Sequence, residues 1–231
     1  MNWLEFREPF SSWSHGAWML LSLPATLLLW YLSRGDRLKQ LGLLVFGLSL
    51  TLCYAGSMLY HGVRLSEQQI EWFAMLDFIG IYLLIAGTVT PLALIVLRGR
   101  WRRGILGLVW LLAAGGIGLR LASVPMSRLV STGLYLGMGC AVFLSYFELA
   151  RILSHRAVWP AVFGGLLYGA GAVLNHMHWP VLWQGVFSAH ELWHLFVMAG
   201  SLSHVWLMLK VVVPFERLGG AADPVPLAGF T

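Results

Sequence analysis

Long apolar stretches alternate with short polar ones along almost the whole chain. Seven of these stretches approach the roughly 20 residues that an α-helix needs to cross a bilayer. Segments rich in charge or glycine separate them, for example SRGDRLKQ, GVRLSEQQIE and RGRWRRG. The pattern predicts an all-α integral membrane protein, a seven-transmembrane-helix bundle with spans at about 14–33, 41–61, 73–97, 105–121, 129–149, 158–175 and 187–213.

The composition supports this class and argues against others. Of the 231 residues, 58% are hydrophobic and 11% are charged, and the mean hydropathy is +0.75. Soluble domains carry roughly 25% charged residues, so this chain cannot cover a water-facing surface. The net charge of +5 comes from Lys and Arg residues scattered between apolar runs. Such scattering is typical of the loops of membrane proteins, and no nucleic-acid binding is expected.

The seven spans form one predicted transmembrane domain, residues 1–213. Residues 214–231 are rich in Gly and Pro and are predicted to be disordered. The first apolar run is expected to be a retained span, because Glu5 and Glu8 stand where a signal peptide carries positive charge. The expected location is the cell (inner) membrane, with the chain crossing it several times.

The basic residues are distributed unequally between the two faces of the predicted bundle. With seven spans, the N-terminus and the second, fourth and sixth loops share one face. That face carries four of the 15 Lys and Arg residues, and the opposite face carries the other 11. By the positive-inside rule the basic face is cytoplasmic, which would place the N-terminus outside the cell.

Side chains that can bind a metal cluster at the N-terminal face. His190 and His194 are four residues apart, so both imidazoles lie on one side of their helix. His61 ends the second span, Ser57 lies one turn before it, and Asp77 opens the third span. Three imidazoles and a water would form the open tetrahedral arrangement of a catalytic zinc, with the carboxylate orienting the water or acting as base. Iron or copper could bind the same imidazoles.

The stretch SAHELWHLFVMAGSLSH also contains H-E-x-x-H, the zinc metalloprotease pattern in which the Glu is the general base. A protease needs a third ligand downstream, but His204 lies two to three turns deeper along the helix than the histidine pair. Single buried histidines are often packing residues, which is the alternative for His15 and His204. A solvated turn is the simplest explanation for His176 and His178.

Several motifs occur in the order in which they are found in the hemolysin III family, the bacterial branch of the PAQR membrane proteins that include the adiponectin receptors. They are SMLYHG, LDFIGIYLLIAGTVTP, VWLLAAGGIG, LYLGMG, GGLLYGAG and HELWHLFVMAGSLSH, and SSWSHGAW resembles the family's first-helix start. The resemblance extends over residues 10–210. It implies a seven-helix bundle with one zinc ion, with His61, His190 and His194 as ligands and Asp77 and Ser57 as supporting or catalytic groups.

Two features depart from the family pattern. Bacterial relatives often have a His directly after the third-helix Asp, where this chain has Phe78, so any role of that His is absent. The resemblance also implies a cytoplasmic N-terminus and zinc site, opposite to the charge count. It further implies that Glu191 is a neighbour of the ligands and not a general base.

Two functions of different classes follow as expectations. The first is a zinc-dependent hydrolase of a lipid amide such as ceramide, the substrate class being supplied by the resemblance. Asp77 would relay the proton, Ser57 would hold the oxyanion, and an apolar cavity in the bundle would accept the lipid. The alternative is a non-enzymatic sensor or regulator of membrane state, with a structural zinc, in membrane homeostasis. Membrane lipids are the expected partners in both cases, whereas haemolysis and intramembrane proteolysis have weaker support.

Overall fold

In a computed structural model, which describes residues 6–216, the chain folds into seven long α-helices. Within that range the only strand-like pairing is an isolated bridge between Trp183 and Phe187. The helices are α1 (Pro9–Leu32), α2 (Arg37–Gly62), α3 (Glu67–Pro91), α4 (Gly99–Leu121), α5 (Arg128–Leu153), α6 (His155–Met177) and α7 (Ala189–Leu207). The predicted all-α fold is confirmed. From residue 217 onward, the tail predicted to be disordered lies outside the described residues.

Two helices continue beyond their α-helical part through one π-helical turn each. These turns are Leu92–Val96 after α3 and Met208–Val212 after α7. With them included, six helices of the described chain are long and apolar enough to cross a membrane: α1, α2, α3, α4, α6 and α7. In α5 the apolar stretch is shorter, Leu129–Cys140. The prediction of an integral membrane protein is therefore confirmed. Seven helices form where seven spans are predicted, and six of them reach the length and apolarity needed to cross a membrane.

Polar side chains close the N-terminal ends of most helices, where backbone N–H groups have no partner within the helix. The Asp36 carboxylate accepts hydrogen bonds from the backbone N–H groups of Leu38 and Lys39, at 3.0 and 3.1 Å. Ser127 and Ser154 cap α5 and α6 in the same way. These residues explain why the helices begin where the polar segments of the sequence end.

α3 is the central helix of the bundle. In the most apolar part of Glu67–Val96, 72% of the residues are buried, against 28% in α1. Glycines allow its close contact with α2, since a Cβ atom added to Gly80 would lie 2.7 Å from the Cα atom of Cys53. The same kind of contact occurs further along, where Gly87 faces Ser49. Small residues at such crossings are typical of helix packing in membranes.

α6 and α7 cross at a second pair of glycines, and polar rings fill the space beside them. A Cβ atom on Gly164 would lie 2.7 Å from Nε2 of His204, and one on Gly200 would lie 2.6 Å from the ring of Tyr168. The His204 ring is within hydrogen-bonding distance of the carbonyl of Ala161, at 3.3 Å. This crossing accounts for His204 as a packing residue between the two helices.

A buried hydrogen-bonded chain links the same crossing to α2. The hydroxyls of Tyr54 and Ser201 are 2.7 Å apart, and those of Tyr168 and Ser201 are 3.0 Å apart. The Tyr168 hydroxyl is also 3.4 Å from Nδ1 of His204. Because α7 is held against α2 in this way, the start of α7 comes to lie next to the end of α2.

The contact between α2 and α3 generates a stability prediction. Gly80→Ala places a methyl group against the α2 backbone, and such overpacking typically costs about 1–3 kcal/mol. We expect a lower thermal unfolding temperature for the detergent-purified variant. Gly107→Ala is the matched control, because a Cβ atom at this exposed α4 position has no neighbour within 4 Å. Alanine's better helix propensity should leave that variant as stable as the parent or more so. Equal unfolding temperatures for the two variants would contradict the close α2–α3 contact.

Candidate metal centre

Three histidines from two helices meet at the N-terminal face of the bundle. One ring nitrogen from each of His61, His190 and His194 lies within 4.8 Å of the other two. The Nε2 atoms of His190 and His194 are 3.2 Å apart. Nitrogens bound tetrahedrally at zinc distances lie about 3.3 Å from one another. The three histidines can therefore hold a metal ion, and the sequence-based prediction had selected this same set.

The start of α7 sets the positions of two of these rings. Ser188 and Glu191 form a capping box, in which Oε2 of Glu191 accepts from the backbone N–H of Ser188 at 2.8 Å and from its hydroxyl at 2.6 Å. His190 and His194 then project from one side of the first two turns. The Glu191 carboxylate is occupied at the helix end, so this H-E-x-x-H stretch lacks the arrangement that a metalloprotease needs.

His61 is held by an acidic residue that precedes α1. Nδ1 of His61 lies 2.7 Å from Oε2 of Glu8, and the His61 ring is almost fully buried, with 2% of its side chain exposed. The hydrogen bond from His61 keeps the pKa of the Glu8 carboxyl below its ordinary value, although partial burial acts in the opposite direction. The sequence pattern does not mark Glu8 as a site residue. Its position seven residues before His15 carries no spacing signal that connects it to α2.

Asp77 and Ser57 lie next to each other beside His61. The Asp77 carboxyl is close enough to the Ser57 hydroxyl and to His61 to interact with both. α3 begins at Glu67, so Asp77 is ten residues inside the helix and does not open it as expected. It reaches the level of Ser57 because α2 and α3 touch at Gly56, where an added Cβ atom would lie 3.1 Å from the carbonyl oxygen of Leu76.

A fourth histidine, for which the sequence favours a packing role, lies against the group. The ring of His15 stacks on that of His194 with centroids 3.9 Å apart, and it makes a T-shaped contact with the ring of Tyr54, with centroids 4.9 Å apart. His15 is buried, and neither of its ring nitrogens has a hydrogen-bond partner within residues 6–216. In the sequence it is a lone histidine in an apolar helix, so only the packing of α1 against α2 and α7 reveals its place.

The remaining histidines lie outside the group. His176 and His178 are exposed at the end of α6, and His155 is at the start of that helix, next to the hydroxyl of Tyr146. His204 belongs to the α6–α7 crossing. The histidines predicted at the N-terminal face thus fall into three kinds. Three converge as a candidate metal group, His15 stacks against that group, and two are exposed.

Fold and site together define the class of the protein: an integral membrane bundle of α-helices with a three-histidine group that can hold a metal ion at one end. The profile of the family described as Haemolysin-III related matches residues 4–205. The chain is 34% identical to Hemolysin-3 of Bacillus cereus over 203 residues, which are 87% of this chain and 90% of that protein. It is 32% identical to the Hemolysin-3 homolog of Bacillus subtilis (strain 168) over 206 residues, 87% of this chain and 93% of that protein.

The chain therefore belongs to the haemolysin III family, and the resemblance inferred from its motifs is confirmed.

The convergence of the three histidines generates a prediction about metal binding. His61→Ala and His190→Ala each remove one ring from the group, so we expect divalent-metal affinity to fall by more than about 100-fold, the upper range for loss of a group that only supports a ligand. Metal content and affinity of the detergent-purified variants would measure this. His176→Ala is the control, being an exposed histidine on the same face that should leave binding unchanged. Full binding in His61→Ala would show that the group is not the metal site.

Proposed function

We propose that this protein is a zinc-dependent hydrolase of lipid amides of the ceramide type, located in the inner membrane and active in membrane homeostasis. The observation that carries the proposal is the position of the Asp77 carboxyl, next to Ser57 and beside the histidine group. A metal site, a carboxylate and a buried location within a membrane bundle are the elements that water-dependent cleavage of a lipid requires.

Zinc suits the donor set. Three imidazole nitrogens and one open position make up the usual catalytic zinc site, and the 3.2 Å separation of two of the nitrogens fits zinc bond lengths. Iron and copper also bind imidazole, so the choice of zinc rests on coordination preference. A zinc ion held there would polarise the substrate carbonyl and activate a water molecule.

The chain's own residues would carry the proton transfers. Water adds to the amide carbonyl carbon, the C–N bond breaks, and the products are a fatty acid and an amine. Asp77 would accept the proton from the water and return it to the leaving nitrogen. Ser57 would hold the oxyanion, and because it lies beside the Asp77 carboxyl it could also orient that group. His61 lies on the neighbouring turn of α2, so a metal bound to it would lie close to the Asp77 carboxyl.

A groove beside the site offers space for an acyl chain. It has a volume of about 210 Å³, lies between α1 and α2, and is lined by Trp13, Gly16, Ala17, Leu20 and Met58, among others. Gly16 directly follows His15, and Met58 directly follows Ser57. The groove is partly open, so a lipid would enter it sideways from the bilayer.

One observation favours the alternative, a non-enzymatic sensor or regulator with a structural zinc. The side chains of His61 and His194 are each 2% exposed, and His15 stacks directly on His194. Such close packing limits the access of water to the group. In this case a metal would join α2 to α7, and the bundle would respond to membrane state without hydrolysing lipid.

Fatty-acid release from a ceramide in proteoliposomes distinguishes the two functions. Asp77→Asn should lower kcat by about 10²–10⁴-fold, the usual contribution of general acid–base catalysis, while zinc content stays near that of the parent. His61→Ala should lose both activity and metal. Glu71→Gln is the control, because it changes an exposed carboxylate on the same helix.

Two results would contradict the hydrolase. If the parent, Asp77→Asn and His61→Ala release fatty acid at the same rate, the release does not come from this site. No release by the zinc-loaded parent, together with a large rise in its unfolding temperature on zinc binding, would support the structural alternative.

A further inference from the structure

We propose that Glu8 is a positioning residue of the metal centre, which holds the His61 ring so that Nε2 faces His190 and His194. The inference rests on the metal centre of the proposed function, but it does not depend on hydrolysis. It assigns a role to the segment before the first helix, which the family resemblance and the histidine spacing leave without one.

The side-chain contact determines which nitrogen of His61 is available. Oε2 of Glu8 lies 2.7 Å from Nδ1 of His61. A carboxylate only accepts hydrogen bonds, so in the neutral imidazole Nδ1 carries the hydrogen and Nε2 keeps its lone pair for a metal. A distance this short is typical of charge-assisted hydrogen bonds. Histidines that bind metals commonly donate their second N–H to a carboxylate, which fixes the ring and increases its basicity.

Backbone contacts hold the same two residues together. The N–H of Glu8 donates to the carbonyl of His61 at 2.9 Å, and the N–H of Arg7 donates to the carbonyl of Gly62 at 3.3 Å. The guanidinium of Arg64 donates to the carbonyl of Phe6 at 3.0 Å. Glu8 is therefore bonded to both the main chain and the ring of His61, and the ring cannot turn without breaking the short contact.

The second oxygen of the Glu8 carboxylate has its own partner. Oε1 is 3.2 Å from Nη2 of Arg7, whose guanidinium lies over the ring of Tyr60 with its central carbon 4.6 Å from the ring centroid. Arg7, Glu8 and His61 thus form one chain of contacts that ends at the metal centre. With Oε1 directed to Arg7 and Oε2 to Nδ1, neither oxygen is directed at the point where the three histidines meet, so Glu8 supports a ligand and is not one itself.

The need for such support is greatest at His61. His190 and His194 project from adjacent turns of one helix, so α7 itself sets their mutual position. His61 comes from the last turn of α2 and must be aligned with rings on a different helix. A carboxylate 53 residues away in the sequence supplies that alignment.

The test is metal titration of the full-length, metal-free protein in detergent, using Zn²⁺ for affinity and Co²⁺ for the absorption spectrum. Glu8→Ala should weaken binding by about 10–100-fold, the range for removal of such a supporting group. Glu8→Gln keeps an oxygen that accepts from Nδ1 but loses the negative charge, so it should weaken binding measurably, by less than about tenfold, and shift the Co²⁺ spectrum. Glu71→Ala, an exposed carboxylate of α3, should bind as the parent does. The unfolding temperature of each metal-free variant separates loss of fold from loss of alignment.

The outcomes separate this inference from the proposed function. Unchanged affinity and an unchanged Co²⁺ spectrum in Glu8→Ala, with a parent that binds metal, overturn the positioning role and leave the metal centre intact. A parent that binds no metal overturns both. If Glu8→Ala cannot be purified folded, Glu8→Gln decides: a shifted Co²⁺ spectrum supports the role, and affinity and spectrum identical to the parent's overturn it.

Discussion

Inside a bilayer a polar group has no water to bind, so each one needs a partner within the protein. The backbone meets this need by forming helices, and polar side chains meet it where helices cross. Ser22 on α1 and Thr51 on α2 are 2.7 Å apart, and Tyr54 and Ser201 join α2 to α7 at the same distance. Large apolar side chains, by contrast, cover the outside of the bundle, with Leu111 and Phe147 among the most exposed. The requirement for partners thus decides which side of each helix turns inward.

The histidine group is one of the places in the described chain where buried polar atoms lack a hydrogen-bond partner. The second ring nitrogen of His194 and both nitrogens of His15 have no hydrogen-bond partner among residues 6–216. Buried polar atoms in that condition call for a further ligand, because each one left alone costs about 1–3 kcal/mol. These atoms lie beside the three convergent imidazoles that can hold an ion. The hydrolase and the sensor share this site, and they differ in whether water also reaches the ion.

The two ends of α7 have different tasks. At its start the Ser188–Glu191 capping box fixes the first turn, which presents His190 and His194 and uses the Glu191 carboxylate for the helix. One or two turns from its end, Ser201 and His204 bind α2 and α6 through hydroxyls and a backbone carbonyl. The H-E-x-x-H stretch therefore owes its glutamate to helix capping, which explains how a protease pattern occurs without protease geometry.

The sequence by itself determined the all-α membrane class, because about 20 apolar residues per segment leave the backbone no other way to satisfy its hydrogen bonds. It also determined the candidate ligands, since the i, i+4 spacing of His190 and His194 is local to one helix and His61 stands at a helix end. Only the tertiary structure decided that Glu8 and His15 lie against the histidine group, that Asp77 lies ten residues inside α3, and that a groove lies between α1 and α2. These features depend on how deeply and at which rotation separate helices pack, and glycine contacts such as that of Gly56 with the α3 backbone set both. No spacing within one helix contains that information.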